Sequence, residues 1–164
     1  MYRITRVLSV GPFASPERAE RLLAAGVTHV LNVCDGPCVV SAGPGSFRQV
    51  AWVPMQDSVP LRPTTAIEVL DTLHGMVCDP DSRVYVHCMA GHLRSPTVLW
   101  LYLIACGLSP DDARDRIETA SPVATAGYPL MVTPAHVLLA QRHGLANFFP
   151  HPRGEVLLPF DTPE

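Results

Sequence analysis

The chain is predicted to be a single α/β domain with a central, mostly parallel sheet flanked by helices. Two observations predict this class. The 164 residues suit one domain with one hydrophobic core. Short β-branched runs alternate along the chain with longer segments whose apolar residues recur at helical spacing. Such alternation is typical of parallel sheets covered by helices on both faces, and no internal repeat or second domain is evident.

The predicted strands are β-branched, mostly apolar runs bounded by turn residues. They cover residues 6–10, 27–33, 47–55 and 83–88. Because every connection between them contains a helical segment or a long loop, parallel pairing is favoured over hairpins.

The predicted helices have clear start signals. A hydroxyl residue stands before a proline at Ser15, Ser109 and Thr133, which gives an N-cap and a proline in the first turn. The predicted helices cover residues 16–25, 65–77 and 96–106, one that opens at residue 110, and 134–144. Residues 1–144 are therefore expected to form the domain. Residues 145–164 are expected to form a proline-containing tail that either wraps the surface or is partly disordered.

Composition and charge exclude several classes of protein. The net charge is −3, and all 12 basic residues are arginines without a block of like charge, so neither nucleic acid nor an anionic membrane is an expected partner. The longest apolar run, residues 98–105, is too short to span a bilayer, and no signal peptide is evident. We therefore expect a cytoplasmic protein. The absence of lysine, with many Ala, Leu and Pro residues, suggests a GC-rich bacterial genome. Nothing in the sequence indicates an oligomeric state.

The cysteines do not indicate a structural framework. There are five, an odd number without CxxC spacing, which argues against both a disulfide scaffold and a zinc site. The cysteines are Cys34, Cys38, Cys78, Cys88 and Cys106. No cofactor is implied. A metal site built from His87, Cys88 and His92 would lack a partner cluster elsewhere in the chain.

The segment between the strand at 83–88 and the helix near Pro96 has the features of an oxyanion site. Its backbone N–H groups can turn inward as a nest at a helix N-terminus, which binds phosphate. Gly91 permits the dihedral angles of a tight cradle, and the planar guanidinium of Arg94 can bind two phosphate oxygens. The predicted phosphate-binding residues are Met89, Ala90, Gly91, His92, Leu93 and Arg94.

Cys88 lies in the same positive environment, so its thiol pKa should fall below the free value of about 8.5. A thiolate inside a phosphate cradle predicts attack on phosphorus and a cysteinyl-phosphate intermediate. Asp57, in a loop directly after a strand, is the expected general acid for the leaving oxygen, with Asp35 as the alternative. The Ser95 hydroxyl is expected to donate a hydrogen bond to the Cys88 sulfur and so ease departure of the thiolate.

The segment HCMAGHLRSPT, which begins at His87, resembles the HCxxGxxR[ST] signature of the cysteine-dependent protein tyrosine phosphatases. The segment AGVTHVLNV and the aspartate upstream of the cysteine resemble the small dual-specificity branch. The resemblance covers residues 7–139. It implies a phosphotyrosine protein phosphatase-like fold and metal-independent phosphomonoester hydrolysis. It also implies Cys88 as nucleophile, Arg94 as phosphate ligand and Asp57 as general acid.

Other residues near the motif have expected roles or depart from the family's pattern. His87 is expected to support the loop rather than act as a base, and His92 either contacts substrate or is solvated. Leu93 stands where a small residue is usual, and the asparagine common ahead of the last helix is not evident. Cys34 stands where phosphoinositide phosphatases and the regenerating-liver phosphatases carry a second cysteine, which implies a possible redox partner for Cys88; a buried core cysteine is the alternative.

The expected substrate is a phosphorylated protein, at tyrosine or at serine and threonine. The loop contains no lysine, which disfavours a substrate with several phosphates, although a phospholipid or a small phosphoester stays open as the alternative. Two other classes of function are considered. A weakly catalytic phospho-binding module is disfavoured by the intact Cys88, Arg94 and Asp57. Thiol chemistry on another oxyanion, such as arsenate reduction, is disfavoured by the position of Cys88 within the chain.

Overall fold

A computed structural model describes residues 1–151 and 153–160, and it confirms the predicted α/β class. Strands and helices alternate through most of the described chain. The strands are β1 (Tyr2–Arg3), β2 (Leu8–Gly11), β3 (His29–Asn32), β4 (Gln49–Trp52) and β5 (Val84–His87). The helices are α1 (Pro16–Ala24), α2 (Pro63–Cys78), α3 (Arg94–Ala105), α4 (Pro110–Ala120) and α5 (Pro134–Asn147), and a 3-10 turn covers Gly154–Leu157.

The five strands form one sheet in the order β1-β2-β5-β3-β4. The pairs β2–β5, β5–β3 and β3–β4 are parallel, and only β1 runs antiparallel at the edge. His87, the last residue of β5, is in register with Gly11 of β2 and Asn32 of β3. The carboxyl ends of three adjacent strands therefore meet at one edge, where parallel sheets bind ligands.

The two faces of the sheet carry separate hydrophobic clusters, because alternate residues of a strand point to opposite faces. Tyr85 of β5 packs in the smaller cluster, which includes Leu22 of α1. Val84 and Val86 pack in the larger cluster, which includes residues of α2 to α5. The predicted coverage of both faces is confirmed.

Helix α3 is the centre of the larger layer, and each of its residues is buried. An almost wholly apolar helix of this kind is stable only when neighbours surround it. Helices α2, α4 and α5 and the sheet supply those neighbours. The burial of α3 fixes its N-terminus at the sheet edge where β5 ends.

The predicted helix caps at the serines are confirmed. The Ser15 hydroxyl accepts a hydrogen bond from the Arg18 N–H at 3.3 Å, and the Ser109 hydroxyl accepts one from the Asp112 N–H at 3.1 Å. Each satisfies a backbone donor that the first turn of the helix leaves without a partner.

Several predicted boundaries differ from the structure. Strand β2 begins at Leu8 rather than at residue 6, because the Thr5 hydroxyl accepts hydrogen bonds from the N–H groups of Val7 and Leu8 and holds a turn there. Helix α2 begins at Pro63, two residues before its predicted start at residue 65. Helix α3 begins at Arg94 and carries Pro96 inside its first turn, where a missing N–H costs no hydrogen bond. Strand β1 was not predicted, since two residues are too few to show a period.

The C-terminal segment continues along the body of the protein. Helix α5 extends to Asn147, three residues past the predicted end. Beyond it, Val156 is fully buried, and the guanidinium of Arg153 donates to the carbonyls of Val77, Asp79 and Ser82 at 3.1 to 3.2 Å. The predicted tail was residues 145–164, of which Pro152 and residues 161–164 lie outside the described residues. In the described ranges, no helix combines the length and the apolar character that crossing a membrane requires.

Gly144 provides a test of the contact between α5 and α3. A methyl group at this position would collide with the carbonyl of Ala105, whereas one on the exposed Gly75 of α2 would meet nothing within 4 Å. We expect Gly144→Ala to destabilise the protein by about 1–3 kcal/mol or more. The matched control Gly75→Ala should be neutral, or stabilising by up to about 1 kcal/mol, because alanine is the better helix former. Urea denaturation measures both, and equal stability of the two variants would contradict the close packing.

Candidate active site

Residues 88–94, from the end of β5 to the first residue of α3, form a closed loop at the sheet edge. Gly91 has a φ of +76°, and a Cβ there would lie 2.6 Å from the carbonyl carbon of Gly11. Glycine is required at this position for both its conformation and its close approach to β2. The loop is also tied at its outer side, since the Met89 carbonyl accepts from the Phe13 N–H at 3.0 Å.

A second connection reaches the loop from the segment between α4 and α5. The Thr125 N–H donates to the His92 carbonyl at 2.8 Å, and the Tyr128 N–H donates to the Thr97 hydroxyl at 3.1 Å. The sequence shows no asparagine ahead of the last helix. In this chain a backbone N–H contacts the loop from that segment instead.

Cys88 lies at the base of the loop and is almost fully buried. The Ser95 hydroxyl donates a hydrogen bond to its sulfur at 3.2 Å, as the sequence predicted. Burial disfavours the thiolate, but hydrogen bonds from Ser95 and the Gly91 N–H, together with the charge of Arg94, outweigh it and lower the pKa of the Cys88 thiol below its usual range. These contacts therefore shift the Cys88 sulfur toward its thiolate form.

Arg94 is the first residue of α3, and its side chain is 5% exposed. Its Nη1 donates to the Met55 carbonyl at 3.1 Å and to Asp35 Oδ1 at 2.9 Å. Its Nη2 lies 3.8 Å from Asp57 Oδ2. Both carboxylates named from the sequence therefore meet at one guanidinium.

The two aspartates differ in the contacts that their carboxylates make. Asp57 lies in the loop between β4 and α2, with its side chain 56% exposed, and it precedes Ser58, whose φ is +54°. Asp35 follows β3, and the hydrogen bond from Arg94 holds the pKa of its carboxyl below the usual range. A carboxyl kept ionised in this way is a poor proton donor.

His87 is buried beneath the loop. Its ring lies 5.2 Å from the ring of Phe13 in an edge-on arrangement and stacks at 5.8 Å on Tyr85. Burial lowers the pKa of His87 to about 4, so the imidazole is neutral at neutral pH. This environment is consistent with a supporting role rather than with proton transfer.

The outer residues of the loop form the rim of the site. Met89, Ala90 and His92 are exposed, and Leu93 is half-buried. In the part of the chain that the structure describes, no group of three or more His, Cys, Asp or Glu side chains could hold a metal ion.

Cys34, two residues after the end of β3, is buried in the same hydrophobic cluster as Cys88. Burial raises the pKa of its thiol to about 11, and the charge of Cys88 adds to this rise. Cys34 and Cys88 are both free thiols in the structure. A Cys34–Cys88 disulfide after oxidation of Cys88 stays a prediction, which peptide mass spectrometry after mild peroxide would test.

The sequence did not single out Asn32, which organises this part of the site. Its buried amide accepts from the Cys34 N–H at 2.8 Å and donates to the Gly36 carbonyl at 2.9 Å. The available signal was a lone amide in an otherwise apolar strand, because a buried polar group needs partners and often fixes a turn.

The contrast between the thiols predicts selective labelling. At neutral pH, iodoacetamide should modify Cys88 far faster than Cys34 or Cys106, since burial raises the pKa of Cys106 to about 12. Ser95→Ala should raise the pH at which the labelling rate of Cys88 is half-maximal. Ser109→Ala, which removes a remote hydroxyl, should leave that pH unchanged. Peptide mass spectrometry measures each site. Labelling of Cys88 no faster than that of Cys34 would contradict the lowered pKa.

Known proteins share this fold and, in part, this sequence. Human DUSP28 is 24% identical, with a TM-score of 0.66 over 89% of this chain and 96% of its own. A mouse putative dual specificity phosphatase, solved with zinc tungstate, is 24% identical with a TM-score of 0.67 over 88% of this chain and 86% of its own. PTPMT1, solved with PI(5)P, is 20% identical with a TM-score of 0.67 over 88% and 94%. The profile of the Swiss Army Knife protein DSP-PTPase phosphatase domain matches residues 8–133. The chain therefore belongs to the DSP-PTPase phosphatase domains of the Swiss Army Knife family, within the cysteine-dependent tyrosine phosphatase superfamily.

Proposed function

We propose that this phosphatase domain hydrolyses phosphomonoesters through a cysteinyl-phosphate intermediate at Cys88, without a metal ion. The observation that carries the proposal is the position of the thiol. Cys88 has a lowered pKa and lies in a loop that closes on Arg94, with the Ser95 hydroxyl 3.2 Å from its sulfur. Nucleophile and anion-binding groups thus share one site.

In the first step the Cys88 thiolate attacks phosphorus, an S–P bond forms, and the ester P–O bond breaks. The leaving oxygen takes a proton from Asp57. The inward N–H groups of loop 88–94 and the guanidinium of Arg94 stabilise the charge on the phosphoryl oxygens. Asp57 is left as an exposed carboxylate, which can accept a proton in the second step.

In the second step water attacks phosphorus and gives a proton to Asp57, the S–P bond breaks, and phosphate leaves. The hydrogen bond from Ser95 stabilises the departing Cys88 thiolate. The charge of Arg94 acts in the same direction. The same groups that lower the thiol pKa therefore make sulfur a good leaving group.

We propose phosphorylated protein as the substrate, at tyrosine or at serine and threonine. Loop residues Met89 to Leu93 include no lysine or arginine, and the chain has a net charge of −3. These features disfavour substrates with several phosphates. PTPMT1 was solved with PI(5)P, so a phospholipid or small phosphoester is the second candidate.

Removal of the nucleophile tests the mechanism. Wild-type protein in EDTA should hydrolyse para-nitrophenyl phosphate, and orthovanadate should inhibit it. Cys88→Ser should reduce kcat by at least about 1,000-fold, because losing a covalent nucleophile costs that order of rate or more. Cys38→Ser, a matched change outside the loop, should retain activity. Hydrolysis that survives Cys88→Ser, or that requires an added metal, would contradict the proposal.

The wild type and Cys88→Ser should also be compared on a panel of phosphopeptides and phosphoinositide vesicles. Release of phosphate from the peptides alone would support the proposed substrate class, and release from vesicles alone would support the second candidate.

The role of Asp57 predicts a dependence on the leaving group. Asp57→Ala should lower kcat for phenyl phosphate by about 100-fold, since a poor leaving group needs a proton. The loss should be smaller for para-nitrophenyl phosphate, whose leaving group is more acidic. A series of aryl phosphates measures the slope. An equal loss across the series would assign the acid to another residue.

A further inference from the structure

Asp57 lies in the acid loop, the segment of residues 55–61 between β4 and α2. Residues 56–60 are exposed, whereas Met55 and Leu61 at the two ends are buried. A cavity of about 370 Å³ lies against the loop. Because exposed residues have little side-chain packing to hold them, the hydrogen bonds at the two ends determine where Asp57 lies.

Each end of the acid loop is bonded through its backbone. The Met55 carbonyl accepts a hydrogen bond from Arg94 Nη1 at 3.1 Å. The Leu61 N–H donates to the Met131 carbonyl at 2.8 Å, and the Leu61 carbonyl accepts from His136 Nε2 at 2.7 Å. Both backbone polar groups of Leu61 are therefore held by α5 and the segment that leads into it.

His136 makes a second contact, which determines its tautomer. It occupies the third position of α5, where its Nδ1 accepts a hydrogen bond from the Thr133 N–H at 3.0 Å. Because a backbone N–H can only donate, Nδ1 carries no proton, and Nε2 carries the proton that is donated to the Leu61 carbonyl. One imidazole therefore caps α5 and holds the acid loop at the same time.

The segment that leads into α5 is itself fixed to the core of the site. The Met131 N–H donates to the Tyr128 carbonyl at 2.9 Å, and the Tyr128 N–H donates to the Thr97 hydroxyl of α3 at 3.1 Å. The acid loop is thus tied at both ends to the helix that begins with Arg94. This connection holds Asp57 Oδ2 at 3.8 Å from Arg94 Nη2.

We infer that His136 is a positioning residue for the general acid. By donating to the Leu61 carbonyl, it holds the end of the acid loop so that Asp57 stays beside Arg94, where it can protonate the leaving oxygen. It acts through Asp57 and transfers no proton itself. This inference rests on the proposed function, in which Asp57 is the acid.

The two contacts of His136 can be separated by substitution. His136→Glu keeps an acceptor for the Thr133 N–H, as in a capping box, but has no donor for the Leu61 carbonyl. His136→Gln supplies both, an amide oxygen for the first contact and an amide N–H for the second. His136→Ala supplies neither. If the residue served only to cap α5, His136→Glu would behave like wild type.

The test measures kcat and KM of the three variants with phenyl phosphate and para-nitrophenyl phosphate. His136→Glu and His136→Ala should lower kcat for phenyl phosphate about tenfold, because one hydrogen bond that holds the acid loop is lost. The loss with para-nitrophenyl phosphate should be about threefold or less, since its leaving group needs less protonation. KM should stay within about threefold, and His136→Gln should stay within about twofold of wild type in both constants.

The matched control is His143→Ala, which removes another histidine of α5, one that pairs with Asp71 of α2. It should change neither constant. A double-mutant cycle separates positioning of the acid from a general weakening of the site. In the Asp57→Ala background, His136→Glu should cause no further loss of kcat, because the group that it positions is already absent.

Hydrogen exchange gives a second measurement, which does not depend on turnover. Thermal unfolding first checks that each variant is folded. His136→Glu should speed exchange at the Leu61 N–H and its neighbours in the acid loop, and His136→Gln should not. If His136→Glu melts early, the comparison of His136→Ala with His136→Gln replaces it.

Three results would overturn the inference: an unchanged kcat in His136→Glu and His136→Ala, an equal loss with both substrates, or an undiminished loss in the Asp57→Ala background. Failure of the proposed function gives a different result, namely wild-type protein without Cys88-dependent turnover. In that event, exchange still tests the inferred hold on the acid loop. Faster exchange in His136→Glu than in His136→Gln would support it, and equal exchange would overturn it.

Discussion

The complete burial of α3 is the constraint on which the site depends. Because the helix is enclosed by the sheet and three other helices, its first turn cannot shift relative to the end of β5. Loop 88–94 must close the short gap between them. Gly91 makes this closure possible by passing against Gly11 without a side chain. The positions of the Gly91 N–H, of Arg94 and of Ser95 follow from this closure.

The two cysteines of the site show how strongly local surroundings control thiol chemistry. Cys88 and Cys34 are both buried, and desolvation raises the pKa of each. At Cys88, donors from Ser95 and Gly91 and the charge of Arg94 reverse that effect. At Cys34 the effect of desolvation prevails, and the pKa of the thiol is about 11. Hydrogen bonds from Ser95 and the Gly91 N–H make the difference, so burial alone says little about reactivity.

The site residues that could be placed together from the sequence lie close together along the chain. Cys88, Arg94 and Ser95 fall within eight consecutive residues between a strand and a helix, so local structure alone brings them together. The carboxylates were harder to assign. Asp35 and Asp57 each follow a strand, and only the sheet order, with β3 next to β5, places Asp35 on Nη1 of Arg94. The Met55 carbonyl and the Asn32 amide depend on backbone geometry that carries no sequence signal beyond one polar residue in an apolar strand.

Trp52 gives the site an optical reporter. The chain has two tryptophans, and Trp100 is buried, with its indole bonded to the Pro110 carbonyl at 2.8 Å. Trp52 is 42% exposed and donates to the backbone that carries Cys34 and Asp35. Trp52 is therefore expected to emit at longer wavelength than Trp100, and its indole bonds the residue directly before Asp35, which contacts Arg94. Anion binding or thiol oxidation that moves the backbone of Cys34 and Asp35 is expected to change the emission of Trp52, so the unlabelled protein can report on its own site.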